Sequence, residues 1–417
     1  MSSPNSSITF KIIAQDKNSR ARAGIINTKH GNIETPYLIP VATKGEIKSL
    51  SPKNIASLKP QALLANTYHL HLKPGDTEIK NRGGLHKFMK FNKPIFTDSG
   101  GFQAFSLGIG AEIGIKKIGF FPGERMPSPK GDSHVRITKK GVIFKSIYPP
   151  YGKHFVGPKE SMQIQSNLGA DIIIAFDECT SPSSNKKYIE ESMQRSHRWE
   201  KESLKYHNPN QALYGIIHGG WFKDLRIKSA KYINSLQFDG IAIGGSLGKT
   251  KEDMHTILDW IIPNLDNRPR HMLGIGWIDD LFCCVEQGID TFDCVEMTRI
   301  ARHGSLYISP ETGGSLENKF RINIQKTIFQ KDKKPIDPNC KCSTCKKYSR
   351  ARIRKLYKTM TQKKEDQKAR NFYGKLATTH NIHFMLDLTS QIRESILKGN
   401  GAFQKLKNYW LKKRIKI

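Results

Sequence analysis

The run DIIIAFDE, residues 171–178, decides the fold. Its apolar residues stand at consecutive rather than alternate positions, as expected for a strand buried on both faces of a parallel sheet. It then stops abruptly at two carboxylates. Six other runs between residues 60 and 296 have the same character: QALLAN, KPIFTDS, ALYGIIHGG, DGIAIGG, RHMLGIG and DTFDCVE. Longer polar segments of helical periodicity separate them, including helices expected over 159–169 and 188–206. That alternation is the signature of β/α units.

The way these strands end carries the functional information. Asp98, Asp177, His218, Gly245, Gly274 and Asp293 all fall where a strand gives way to its loop. A (β/α)8 TIM barrel builds its active site on that rim, and an open doubly wound sheet is the alternative. We therefore expect an α/β protein with a β-rich N-terminal segment over 1–58, a barrel over 59–304, a zinc-binding subdomain with closing helices over 305–396, and a basic tail over 397–417. Residues 109–134 carry several Gly and Pro and read as a rim loop.

The 417-residue chain has 68 Lys and Arg against 37 Asp and Glu, a formal net charge of +31. Such an excess points to a polyanionic partner: RNA, DNA or an anionic membrane surface. Coding bias toward Lys is the plain alternative. No apolar run approaches the roughly 20 residues of a membrane span, and MSSPNSSITF is not a secretory start. A cytoplasmic protein that does not insert in a membrane is expected.

Seven cysteines make an odd number, and only Cys340, Cys342 and Cys345, in CKCSTC, are closely spaced. A metal site suits them better than a disulfide framework. Three thiolates at this spacing can wrap a tetrahedral zinc, with the fourth ligand from His380 or His383 in THNIHF, near the start of a helical segment. A closed Cys3His site is structural, one zinc per chain.

Among the strand-end acids, Asp293 precedes a basic loop, Thr298-Arg299-Ile300-Ala301-Arg302, which suits chemistry beside a phosphodiester. Asp98 heads DSGGF, where bare backbone at Gly100 and Gly101 lets a flat ligand approach and Phe102 can stack on it. His218 reads equally as a core histidine or as part of a ligand site with the Gly pairs that follow it and Gly244.

DSGGFQ, FDEC, the Gly-Gly strand ends, FDCV followed by TRIAR, and CKCSTC followed by HN occur in one order along the chain. Together they resemble the queuine tRNA-ribosyltransferases, or tRNA-guanine transglycosylases, over nearly its whole length. The resemblance implies a zinc-bearing barrel, often homodimeric, that exchanges guanine at the anticodon wobble position of tRNA for a deazaguanine base. Its partners would be the tRNAs for Asp, Asn, His and Tyr. It implies Asp293 as nucleophile on the ribose, Asp98 as general acid/base, and Asp177 as reader of the base. Ser99, Gly100, Gly101, Phe102, Cys179, His218, Gly245 and Gly248 would complete the pocket. Gly274, Ile275, Gly276, Trp277, Ile278, Asp279 and Asp280, with Thr298 to Arg302, would hold the anticodon loop, and His380 would complete the zinc site.

Five departures from the usual bacterial pattern stand out, one of them a longer gap than usual from Cys345 to His380. His218 replaces a Gln, Gly248 a Val, Thr250 a Glu, and Met297 a Pro whose loss is expected to loosen the loop after it. Gly248 resembles members that take finished queuine, whose cyclopentenediol needs room; the aminomethyl and cyano deazaguanine precursors are the alternative. Two readings of another kind are a noncatalytic tRNA-binding subunit, opposed by the presence of both Asp98 and Asp293, and a zinc-dependent nucleoside hydrolase or deaminase, opposed by the closed metal set.

Overall fold

The computed structural model describes residues 7–102, 135–149, 151–181, 184–248, 250–363 and 365–412. The rim segment expected at 109–134 and the end of the basic tail lie outside the described residues. β1 (Thr9–Gln15), β2 (Arg22–Thr28) and β3 (Gly31–Thr35) form an antiparallel sheet. β4 (Tyr37–Pro40), β5 (Leu63–Ala65) and β6 (Ile95–Thr97) then begin the barrel. A second antiparallel sheet follows, of β7 (Val135–Ile137), β8 (Val142–Lys145) and β9 (Lys153–Val156). β10 (Ile172–Ile174), β11 (Ala212–Ile217), β12 (Gly240–Ile243), β13 (Arg270–Met272) and β14 (Thr291–Cys294) complete the barrel. The eight barrel strands run β4-β14-β13-β12-β11-β10-β6-β5, all parallel.

Closure comes just past the strand ends. Val41 bridges Leu64 in parallel, Ala42 N–H donates to the Leu64 carbonyl at 2.7 Å, and Asn66 N–H donates to the Thr43 carbonyl at 3.2 Å. The seven expected runs are strands, and the eighth, YLIP, lies upstream of residue 59 where the barrel was expected to begin.

The apolar strands have two buried faces for a geometrical reason. Ile39, Leu64, Phe96, Ile172, Ile174, Tyr214, Ile216 and Ala242 fill the barrel interior, while Leu38, Leu63, Ile95, Ile173, Leu213, Ile217, Ile241 and Ile243 join the outer core. Ile8, Ile26 and Ile33 extend the inner cluster, so the N-terminal sheet stops the amino end of the barrel. Two buried acids at that end are paired. Arg22 Nε and Nη2 bind both oxygens of buried Asp290 at 2.9 and 2.6 Å. Asp171 accepts from Ile95 N–H at 2.9 Å and lies 2.6 and 3.1 Å from ring nitrogens of His30 and His86. Those two rings are stacked, 3.7 Å apart. In-plane lone pairs of stacked imidazoles do not converge on one ion, so this cluster fastens the hairpin between β2 and β3 to the barrel floor.

The helix expected at 188–206 begins earlier, at Lys186–Tyr206, because the Asn185 side chain caps Tyr188 N–H. After the barrel, β15 (Ser305–Tyr307) and β16 (Arg321–Asn323) pair antiparallel. Short helices lead into the 32-residue helix Gln367–Lys398, which packs against β4 and the N-terminal sheet. A separate small core of Leu306, Ile308, Ile324, Phe329, Ile353, Tyr373 and Leu376 surrounds Cys342 and Cys345. His380 and His383 sit in the middle of that long helix rather than near its start.

Candidate functional site

Asp98 follows β6 directly, and its carboxylate is held from the end of the neighbouring strand, β5. Asn66 Nδ2 donates to Oδ2 at 2.5 Å and Thr67 N–H to Oδ1 at 2.9 Å. Asn66 is itself fixed, because its side-chain oxygen caps the helix Thr67–Leu72 through His69 N–H. Burial and the nearby charge of Asp293 push the Asp98 carboxyl up to about 7, although the Thr67 and Asn66 donors pull the other way. A carboxyl at that level exchanges protons readily at neutral pH.

Asp293 lies within β14. Its Oδ1 accepts Gly274 N–H at 2.9 Å and stands 3.3 Å from His271 Nε2. His271 is fully buried, pinned through Nδ1 to Thr291 Oγ1 at 2.9 Å and stacked on Phe96. Both protein contacts therefore fall on one carboxylate oxygen.

The DSGGF turn packs on the third acid. Ser99 Oγ donates to Asp177 Oδ1 at 3.0 Å. A Cβ on Gly101 would lie 2.7 Å from the Asp177 carbonyl oxygen, so only glycine permits this approach. Burial, with Glu178 and Asp98 nearby, pushes Asp177 up to about 7 against the Ser99 hydrogen bond. Glu178 points elsewhere, accepting from Tyr188 Oη at 2.7 Å and Arg195 Nε at 2.6 Å. It ties the loop to the helix Lys186–Tyr206. The Cys179 thiol is pushed up to about 12 by burial and by Asp177 and Glu178, so it is a neutral wall. Phe102 is 38% exposed.

His218 follows β11 and is buried beside Gly245, with Nε2 3.6 Å from Asp177 Oδ2. Gly248 and Thr250 are less directly placed at the pocket. Gly248 has φ +90° and an added Cβ would collide with Asp253, while Thr250 and Asp253 form the capping box of the helix Lys251–Ile261. Gly248 thus suits its left-handed backbone and Thr250 its place as a helix cap.

The basic segment Thr298 to Arg302, expected as a loop, belongs to the helix Glu296–Arg302. Arg299 pairs with Glu296 at 2.8 Å and Arg302 Nη1 donates to the Thr298 carbonyl at 2.8 Å. Met297 is buried and its carbonyl accepts from Asn381 Nδ2 at 3.0 Å, which anchors the segment instead of loosening it. Between Gly274 and Asp280, the carboxylates of Asp279 and Asp280 face Lys251 Nζ at 2.7 and 3.1 Å. Lys251, Lys319 and Arg321 stand 4.5, 4.4 and 4.8 Å from the Trp277 ring centroid, so cations surround an aromatic face there.

Away from the rim, one ligand atom each from Cys340, Cys342, Cys345 and His380 lie within 4.8 Å of one another. His380 Nε2 is used by the Tyr307 carbonyl at 2.8 Å, so Nδ1 faces the thiols, 3.3 Å from Cys345 Sγ and 3.7 Å from Cys342 Sγ. Edges of this length fit an ion about 2.0–2.3 Å from each ligand, and the second nitrogen is oriented as a metal-bound His requires. His383 approaches Cys340 at 3.7 Å but is not in the cluster.

The family model for queuine tRNA-ribosyltransferase matches residues 16–416. A protein of Archaeoglobus fulgidus, provisionally given that name, is 49% identical over 402 residues, 94% of this chain and 96% of its own. Queuine tRNA-ribosyltransferases of a Roseiflexus species and of Halothermothrix orenii are 42% and 41% identical, covering 97% and 94% of this chain and 99% and 94% of theirs.

Two outcomes follow from the geometry. Asp177 is raised in the folded state, so the sign of its linkage is unfavourable: relative stability is full below about pH 4 and is lost as pH rises toward about 7. Asp177→Asn removes that loss and is expected to raise unfolding stability by about 2–4 kcal/mol at pH 8 and by much less at pH 5; equal effects at the two pH values in chemical denaturation would contradict this. Removing metal with a strong chelator should expose amides of the small C-terminal core to hydrogen exchange while the barrel strands stay protected. Uniform exposure, or none, would count against a local structural ion.

Proposed function

Because the chain belongs to the queuine tRNA-ribosyltransferases, a family of pentosyltransferases, we propose that it exchanges guanine at the wobble position of tRNA for a 7-deazaguanine base. The convergence of Asp98, Asp177 and Asp293 on one barrel rim carries this reading. Asp293, with one oxygen held by Gly274 N–H and lying 3.3 Å from His271 Nε2, offers the other to the ribose anomeric carbon. The new C–O bond forms as the glycosidic C–N bond breaks, through a transition state with oxocarbenium character that a nearby carboxylate stabilises. Asp98, poised near neutrality, gives its proton to the departing guanine. It later takes one from the incoming base, whose ring nitrogen attacks the same carbon and releases Asp293. Asp177 accepts from the ring N–H and amine of the base.

The base must leave the anticodon stack to reach this pocket, as for other enzymes acting on a nucleobase. Phe102 offers it a plate. The cations around Trp277 and the Arg299 and Arg302 side chains suit the phosphates of the anticodon loop, and the net charge of +31 suits the tRNA as a whole. We take the Cys3His ion to be zinc, holding the C-terminal subdomain, and expect a cytoplasmic homodimer acting on the tRNAs for Asp, Asn, His and Tyr.

Queuine is the proposed incoming base. Gly248→Val is no test of it, because a side chain there meets Asp253 at a left-handed backbone whatever the base. The test is on the base itself: tRNA carrying labelled guanine is offered queuine, the aminomethyl precursor and the cyano precursor separately. Label release with queuine supports the reading, and release with a precursor alone overturns the choice of base. In the same assay Asp293→Ala should lose exchange by on the order of 10³-fold or more while tRNA binding persists; near-normal exchange would remove Asp293 from the chemistry.

A further inference from the structure

We propose that Glu200, on the helix Lys186–Tyr206 behind the barrel wall, positions His218 as a hydrogen-bond donor into the base pocket by donating its own carboxyl proton to His218 Nε2. The inference rests on the reading of this rim as a base pocket, and names a residue outside it that sets what the pocket can recognise.

The carboxyl of Glu200 is fully buried, and among the described residues no side chain hydrogen-bonds to it, nor has His218 Nε2 a hydrogen-bond partner there. Glu200 Oε1 lies 3.4 Å from His218 Nε2. The opposite ring nitrogen, Nδ1, faces the backbone of Gly245, where an added Cβ would stand 3.3 Å away. His218 thus spans the wall, with one nitrogen toward Glu200 and Asp177 and the other toward the glycine turn that lines the pocket.

Protonation decides what such a ring can do. Burial, with His197 and Arg226 nearby, holds the imidazole well below its usual range, so it is neutral and carries one proton. Burial and the Asp177 charge push Glu200 well above the usual carboxylate range against the pull of the Ile216 amide, and this favours its neutral form. Asp177 Oδ2, at 3.6 Å, is farther from Nε2 than Glu200 Oε1, and the two neighbouring cationic-type side chains are occupied. Arg226 donates to the carbonyls of Gly220, Ile217, Gly244 and Ser246, and His197 Nε2 pairs with Ser229 Oγ at 2.9 Å. The Glu200 O–H therefore has Nε2 as a lone-pair acceptor, and accepting it leaves the ring proton on Nδ1. An Nδ1–H beside Gly245 can donate to the ring carbonyl of guanine or a deazaguanine. The other tautomer would aim a lone pair at that carbonyl and disfavour it.

A neutral, hydrogen-bonded pair also explains how a glutamate persists at 0% exposure behind a parallel sheet, where a charged one would be costly. In the sequence, Glu200 reads as one more charge in the polar run RWEKE of a long helix.

The test uses the full chain with 15N-labelled histidine. His218 is assigned by the signal lost in His218→Gln, and its nitrogen shifts are expected to show the Nδ1–H tautomer at neutral pH. Glu200→Leu is expected to shift it toward Nε2–H, and Glu200→Gln, which retains an N–H donor, to keep Nδ1–H. In exchange of labelled guanine into tRNA, Glu200→Leu should raise KM for guanine about tenfold with kcat little changed, the weight of one hydrogen bond, and Glu200→Gln should restore it. In the His218→Gln background, where the amide supplies its own N–H, Glu200→Leu should have no such effect.

An Nε2–H tautomer in the unsubstituted protein overturns the proposal even if Glu200→Leu does not fold. So does an equal KM penalty in both backgrounds. Absence of guanine exchange by the unsubstituted protein would instead count against the base-pocket reading, and the tautomer measurement would still decide the Glu200–His218 pair.

Discussion

Closure of the sheet between Val41 and Leu64 is the constraint on which the site depends. Along the open ribbon, β13, β12, β11 and β10 separate the strand bearing Asp293 from the strand that leads into Asp98. Around the closure only β4 and β5 stand between them. β5, the direct neighbour of β6, ends in Asn66 and Thr67, whose donors hold the Asp98 carboxylate. Closing the cylinder thus creates the acid pair, and the charge of Asp293 then helps to hold a proton on Asp98 near neutral pH.

The two ends of the barrel treat buried acids differently. At the amino end, Asp290 is clasped by Arg22 and Asp171 by His30, His86 and a backbone amide; for Asp171 burial is outweighed, and the carboxyl stays below the usual range. At the carboxyl end, Asp98, Asp177 and Glu200 have no Lys or Arg partner among the described residues, and burial dominates. Partnered acids hold a fold together, whereas acids left near neutrality can accept and return protons. Each raised carboxyl opposes folding at pH 8, a burden met by the apolar layers inside and outside the strands.

The fold was legible where burial leaves a plain mark. Seven strands sit in apolar runs because both their faces are covered. The eighth, YLIP, is only four residues long and lies between Pro36 and ends at Pro40, and proline weakens any strand signal. The strand-end acids were legible for the same reason: a carboxylate at the end of an apolar run is conspicuous. Asn66, His271 and Glu200 were not, since their roles arise from contacts 32, 22 and 18 residues away in sequence (98 − 66, 293 − 271 and 218 − 200). The segment after Thr250 carries a capping box, and that local explanation of Gly248 and Thr250 was available in the sequence beside the pocket one. The seven-residue helix Glu296–Arg302 was too short to show periodicity.

The central claim is that Asp293 joins the RNA to the protein during exchange. The direct measurement is to incubate the protein with labelled tRNA bearing guanine at the wobble position and a trace of free base, quench with denaturant, and run the mixture on a denaturing gel. The account predicts a protein-linked RNA band that disappears in Asp293→Ala and is chased by excess deazaguanine base. Exchange that proceeds at its normal rate with no such band, or a band that survives in Asp293→Ala, would contradict it.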